Sequence, residues 1–364
     1  MEEFDIIVIG GGPAGSTFAA HINGADLKVL LLEERTLDVE YKEGMRKKPC
    51  SGLVAVPAQK ILKKLNLAIP EAIKVSPSTV GLKIYDHDTK REIITKEKII
   101  NVDRQKFDRW LFGNIPGTIN IRTGARYIKH YLLDGRVIVQ YKVGESVFEV
   151  RAKVLVASDG ANSKVREIVK PFDPVERYVG AEWMLKVDER FLEPNFKIIL
   201  NENLTDHYLW TVPKDGLLHV GGAFSRFSDS AQRRKKLMNS LTELGLIPDN
   251  YDVVSNWSHY IARPVKREFI FEGNAPVHFI GEAAGLVCPN SAEGYSYALA
   301  SGFELANFMN KNFVHTLRSD KMFQFKALRN TIWMQNLKRA MISKPVFRKS
   351  LFGILGKSIL LKGV

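Results

Sequence analysis

The 364-residue sequence has only two cysteines, Cys50 and Cys288. Two thiols supply no disulfide framework, so a reducing cytoplasm is the expected home. No apolar run reaches the length that spans a bilayer. Met1-Glu2-Glu3 leads directly into an apolar stretch, without the basic region and small-residue cleavage site of an export signal. Internal repeats and low-complexity linkers are missing too. His207 and His219 have no metal-ligand company in the sequence, so no metal is expected. Nor is there a nucleic-acid reader motif, so the formal charge of +13 does not point to DNA or RNA.

What the chain has is the means to build a core. It is 45% hydrophobic and 26% charged, and long enough for two lobes. Its charge is uneven. From Lys311 to Val364 there are 12 Lys/Arg against the single acid Asp320, a balance of +11. The first 310 residues carry 41 basic against 39 acidic side chains, only +2. Phe323, Phe325, Trp333, Met334, Phe347, Leu351, Phe352, Ile354 and Leu355 interleave with the basic residues. Two readings stand open. The segment lies on an anionic membrane, where each Lys or Arg contributes about 1 kcal/mol, or it is a C-terminal helical lobe with its apolar face buried.

Asp5 to Ile9 reads as a buried parallel strand and Gly10 to Gly15 as a glycine turn. Ser16 to Ile22 opens a helix, and Leu27 to Leu32 is a second strand ending at Glu33-Glu34. Together they form a complete βαβ unit. Val80 to Ile100 and Val137 to Val150 alternate as antiparallel strands, the latter after an Asp134-Gly135 turn. Lys153 to Ala157 is again apolar and ends in Ser158-Asp159-Gly160. Tyr178 to Arg267 reads as an antiparallel sheet with a helix near Ser230 to Leu244. A strand at Val277 to Ile280 precedes Gly281-Glu282-Ala283-Ala284-Gly285, and a helix follows across Gly294 to Met309.

Gly10-Gly11-Gly12-Pro13-Ala14-Gly15 fits the G-x-G-x-x-G fingerprint of dinucleotide binding. Gly10 allows the tight turn, Gly12 lets backbone approach a pyrophosphate, and Gly15 lets helix and strand pack closely. The helix N-terminus then offers free N–H groups to phosphate. Glu33, 18 residues beyond Gly15, stands where a carboxylate accepts from ribose hydroxyls, with Glu34 beside it. By itself this fingerprint does not separate FAD from NAD.

Later segments do so by resemblance. Asp159-Gly160-Ala161-Asn162-Ser163-Lys164-Val165-Arg166 resembles the D-G-x-x-S-x-x-R segment of flavoprotein hydroxylases and their relatives. Gly281-Glu282-Ala283-Ala284-Gly285, followed by Pro289 and Gly294, is similar to their G-D-A-A-G…P…G segment, with Glu282 in place of the usual Asp. Arg104-Gln105-Lys106-Phe107-Asp108 resembles their R-x-x-F-D segment, whose Arg lies near the ribityl and phosphate groups. A plain ion pair across one helical turn is the other reading of Arg104 and Asp108.

Lys48-Pro49-Cys50-Ser51-Gly52 and Tyr208-Leu209-Trp210-Thr211-Val212-Pro213 narrow the likeness to the geranylgeranyl reductase family. The first resembles a segment near the isoalloxazine; the second resembles Y-x-W-x-F-P, a wall of the substrate cavity. Val212, Thr205 and Ala292 replace the family's Phe, Pro and Gly.

This resemblance, from about Phe4 to Met309, implies an α/β fold. A Rossmann-like FAD-binding domain (residues 1–170 and 268–315) carries a three-stranded antiparallel insertion. An antiparallel-sheet substrate domain (171–267) and a basic helical region (316–364) complete it. It further implies flavin-dependent reduction of carbon–carbon double bonds in a polyprenyl or other apolar substrate. Cys50, Tyr208 and Trp210 are the candidate catalytic residues. The electron donor is a ferredoxin, a quinol or NAD(P)H, since no second glycine fingerprint follows. A monooxygenase or halogenase is the alternative, because Tyr208 to Pro213 also echoes a W-x-W-x-I-P motif. An electron-transfer protein without a small-molecule product is a third.

Overall fold

A computed structural model describes residues 1–24, 26–37, 50–171, 176–224, 230–316 and 323–348. The expected flavin-side residues Lys48 and Pro49 lie outside them, as does everything after Arg348.

In chain order, β1 (Glu2–Ile9), α1 (Pro13–His21) and β2 (Val29–Leu32) form the opening βαβ unit. Next come β3 (Leu53–Val54), α2 (Val56–Lys64), β4 (Lys74–Asp86), β5 (Arg91–Val102) and α3 (Arg104–Gly113). Then β6 (Asn120–Arg122), β7 (Ala125–Leu133), β8 (Arg136–Val143), β9 (Ser146–Ala157) and α4 (Lys164–Val169). The middle of the chain holds β10 (Arg177–Lys186), β11 (Asn195–Leu200), β12 (Leu209–Lys214), β13 (Leu217–Phe224), α5 (Ser230–Glu243) and β14 (Asp252–Ala262). It closes with β15 (Gly273–Asn274), β16 (Val277–Phe279), α6 (Tyr295–Thr316) and α7 (Lys326–Ile342).

The first sheet runs β15-β16-β9-β1-β2-β6. Strand β1 pairs parallel to both β9 and β2, so it has no free edge; Ile6, Ile7 and Val8 are wholly buried, so both its faces are covered as well. That is why it reads as an apolar run and not as alternation. Helix α1 begins at Pro13, ahead of the expected Ser16, because proline's fixed φ suits the first helical position. Strands β7, β8 and β9 form a three-stranded antiparallel meander. Its first turn has positive φ at Asp134 and Gly135, the paired left-handed conformation of a tight hairpin. The sequence divides Val137–Val150 from Lys153–Ala157; in the structure β9 is one strand serving both the meander and the parallel sheet.

The second sheet runs β14-β10-β13-β12-β11-β4-β5-β3. Here the expected boundary at residue 170 fails to follow the sheets. Strands β3, β4 and β5 lie within the first 170 residues, yet β4 pairs parallel with β11 and joins them to the second sheet. Alternation identifies a strand but not its partner. One face of this sheet packs on α5 through Leu237, Met238 and Leu241 against Leu209, Leu218 and Val220. The opposite face looks toward α1 and the start of α6, and the functional cleft lies between.

Candidate active site

The glycine turn ends β1 where the sequence places it. Gly10 has φ +99°, and a Cβ there would meet the Ser158 carbonyl oxygen at 2.6 Å. A Cβ on Gly15 would lie 1.9 Å from the Gly10 oxygen, so the turn closes only with glycine. At Gly12 the same atom would meet nothing closer than Arg35, at 4.0 Å. Gly12 is also the N-cap of α1 and brings no side-chain cap. The first amides of that helix therefore face the cleft unbonded by side chains, with the positive end of the helix dipole behind them. This open cradle fits a pyrophosphate.

Glu33 is buried and braces the turn itself. Its carboxylate accepts from the Gly11 amide at 2.5 Å and from the Arg35 amide and Nε at 2.8 and 2.9 Å. Arg35 also binds Asp108 at 2.8 Å, and Asp108 accepts from Arg104 Nε at 2.7 Å. The ion-pair reading of Arg104 and Asp108 is thus present, although Arg104 lines the cleft and packs its guanidinium 4.9 Å from the Tyr295 ring centre. Glu34 is exposed.

The cleft takes up Gly12, Pro13, Ala14, Cys50, Ser51, Gly52, Arg104, Gly160, Tyr208, Trp210, Glu282 and Gly294 from the expected set. Gly10, Gly15, Asp159, Gly281 and Gly285 do not line it. Asp159 turns onto the start of α4, accepting from Ser163 Oγ at 2.6 Å and the Val165 amide at 3.2 Å. Gly281, at φ +57°, brings its turn so close to α1 that a Cβ would meet the Ala14 Cβ at 2.7 Å. Gly285 closes that turn in a left-handed conformation. The Glu282 carboxylate accepts from the Ala262 amide at 2.9 Å, which ties the first sheet's turn to β14.

The second sheet supplies the apolar wall: Leu82, Ile99, Phe196, Ile198, Tyr208, Trp210, Trp257 and Ile261. Tyr208, just before β12, and Trp210 are two residues apart and both line the cleft, as alternation along an extended chain allows. Gly221, paired opposite Trp210, leaves room for the indole to lie flat; a Cβ there would sit 2.5 Å from the ring. Two hydrogen bonds fix the pair. Tyr208 donates its hydroxyl to the Ser291 carbonyl at 2.5 Å, and Trp210 Nε1 donates to Glu182 at 2.8 Å.

Glu182 was not anticipated from sequence. Fully buried on β10, it accepts from Ser51 Oγ at 2.5 Å, Trp210 at 2.8 Å and His219 Nδ1 at 2.9 Å. Burial alone would raise its carboxyl, but the bonds from His219, Ser51 and Trp210 hold it below the ordinary value. A lone carboxylate in the apolar run of Tyr178 to Leu185 was the available signal. Lys214 was likewise missed, although it directly follows Pro213. Its ammonium donates to the Ser51 and Val102 carbonyls at 2.7 and 2.6 Å and to Asn101 at 3.2 Å, clamping the loop that carries Cys50. Burial lowers its pKa.

Cys50 is partly buried and accepts weakly from the Gly52 amide at 3.4 Å. It shares its corner with Arg104, Lys214 and Tyr295. Burial pushes the Tyr295 hydroxyl well above its usual range, so it is neutral. A thiol and a phenol thus stand where the glycine cradle meets the apolar wall. Among the described residues no cluster of three or more His, Cys, Asp and Glu is arranged to hold a metal.

No family model matches the chain. Protein CbrA of Escherichia coli K12 is 27% identical over 352 residues, covering 96% of each chain. Protein CbrA of Escherichia coli O9:H4 is 29% identical over 304 residues, covering 83% of this chain and 80% of its own length. A geranylgeranyl bacteriochlorophyll reductase-like protein from Thermoplasma acidophilum superposes with a TM-score of 0.81 at 21% identity, covering 100% of this chain and 94% of its own. The halogenase PltM, solved with phloroglucinol and FAD, gives 0.65 at 15% identity, with 93% of this chain and 76% of that one covered. The fold is shared with that geranylgeranyl bacteriochlorophyll reductase-like protein, with the flavin-dependent brominase Bmp2 and with the p-nitrophenol 4-monooxygenase PnpA from Pseudomonas putida.

Proposed function

We propose that the chain is an FAD-dependent oxidoreductase acting on CH–CH groups, which reduces carbon–carbon double bonds of a polyprenyl or other apolar lipid substrate. The observation that carries this reading is one cleft with two unlike sides. An uncapped, glycine-lined helix start faces a wall of Tyr208, Trp210, Phe196, Ile198 and Leu82. The reductase-like neighbour from Thermoplasma acidophilum supports it further.

The residues suit FAD. Gly12, Pro13 and Ala14 would hold the pyrophosphate, Arg104 would face the phosphate and ribityl groups, and Cys50 to Gly52 would border the isoalloxazine. Bound there, FAD supplies the hydride chemistry. The chain supplies orientation, dryness and protons. The flat Trp210 and the tethered Tyr208 hold an apolar chain and keep water out. An isolated alkene is poorly activated toward hydride, so a placed proton matters. The Cys50 thiol is the group assigned to deliver it, with Tyr295 beside it. Electrons come from a ferredoxin, a quinol or NAD(P)H.

The test is to reduce the yellow protein anaerobically, add geranylgeranyl lipids and weigh the products. Gain of hydrogen pairs with flavin reoxidation is the expected result. Unchanged lipid over flavin that stays reduced would sink the reading, and substrate-dependent oxygen uptake would install a monooxygenase or halogenase instead. Cys50→Ala should keep flavin but lose about a hundredfold in turnover; unimpaired reduction would remove Cys50 from the mechanism.

A further inference from the structure

Helix α7 buries Leu328, Ile332, Gln335 and Ile342, and Gln335 reaches the cleft. Its outward face ought to be polar. Instead Met334 is 51% exposed, Leu337 45% and Met341 43%, at i, i+3 and i+7 on one stripe, with Trp333 alongside. Val346 and Phe347, shortly after the helix, are also exposed, at 76% and 55%. The orientation is set by ion pairs. Arg329 binds Glu272, Arg339 faces Asp206, and Arg348 binds Asp86 and Asp88. These contacts hold one side of the helix to the body and leave the apolar stripe outward.

Charge says what covers it. The last 44 residues, from Lys321, contain no Asp or Glu, and exposed Lys326 and Lys344 flank the stripe. A contiguous apolar face edged by cations suits an anionic lipid surface, with the helix lying in the plane of the interface. Among the described residues no helix is long and apolar enough to cross a membrane. We propose that the outward face of α7 docks the protein on an anionic membrane surface. Met334, Leu337 and Met341 enter the acyl boundary, and Lys326 and Lys344 meet the headgroups. The cleft then stands one helix away from the lipid. This docking does not depend on which substrate the cleft holds.

Flotation of the full flavin-loaded chain tests it, with vesicles of phosphatidylglycerol and phosphatidylcholine against vesicles of phosphatidylcholine alone. Wild type should float with the anionic vesicles, and roughly 0.5 M salt should weaken the binding. The variant Met334→Glu/Leu337→Glu/Met341→Glu should bind at least tenfold more weakly while keeping its flavin spectrum and melting temperature. The proposal is overturned if wild type does not float or if the variant floats undiminished. It is also overturned if light scattering shows a dimer that the variant dissolves, which would make the stripe a contact between two copies. Alkene reduction in detergent stays intact in the variant, so failure here leaves the reading of the cleft untouched.

Discussion

His207 is enclosed between the rings of Tyr178 and Tyr208, at 4.6 and 4.4 Å, with neither ring nitrogen hydrogen-bonded. Burial, reinforced by Arg263 and Arg339, lowers its pKa from 6.5 to about 3. The folded state therefore binds a proton less readily than the unfolded chain. Stability is full above the unfolded value and falls as the pH drops toward 3. At pH 5 the loss should be about 2 kcal/mol. Urea midpoints at neutral pH and at that pH measure it, and His207→Phe should flatten the difference; equal slopes for both proteins would refute the assignment. Glu182 is a second test at this scale. Its replacement by Ala leaves buried Trp210 and His219 donors unmatched, so the unfolding free energy should fall by about 3 kcal/mol. A smaller loss in Glu182→Gln would show that the hydrogen-bond geometry matters more than the charge.

Elements meet at glycines. The Gly281 turn touches α1 through Ala14, and Gly302 of α6 lies so close that a Cβ would sit 2.4 Å from the Ala14 oxygen. One strand-to-turn contact and one helix contact thus hold the start of α1, whose amides face the cleft. Gly281→Ala would force both a strained positive φ and a displacement of α1. About 2 kcal/mol of stability should go, and flavin retention should fall at least tenfold. Flavin absorbance per mole of purified protein reads the second effect directly. An unchanged ratio would show that the close approach does not set the cradle. The glycine spacing of the first turn was legible in sequence because a tight turn is a local demand. The contact of Gly281 with α1 was not, since it joins segments more than 260 residues apart.

For the molecule as a whole, the C-terminal helix is part of the cleft. Arg348 is 2% exposed and reaches back to the β4–β5 corner, donating to Asp86 at 2.9 Å, to Asp88, and to the Ile342 carbonyl at 2.8 Å. Removing it leaves a buried carboxylate short of its counter-charge. Arg348→Ala should cost about 3 kcal/mol by denaturant unfolding and should loosen α7 from the second sheet. A loss below about 0.5 kcal/mol would mean that the Arg348 contacts do not hold the helix. Up to Arg348 this region has an apolar face buried in the protein and an apolar stripe left outside.

By itself the sequence determined the opening βαβ unit, the glycine cradle, the hairpin at Asp134-Gly135 and the common face of Tyr208 and Trp210. Each is written in residues a few positions apart, where periodicity and turn chemistry act. Tertiary structure alone decided that β3, β4 and β5 belong to the second sheet, because strand pairing joins backbones whose local patterns are alike. It alone turned Asp159 away from the cleft, set Glu33 to brace the Gly11 amide, and gathered Ser51, Trp210 and His219 around Glu182. Those partners come from distant strands and loops, and a buried charge is settled by whichever donors the fold brings within reach, not by its neighbours in the chain.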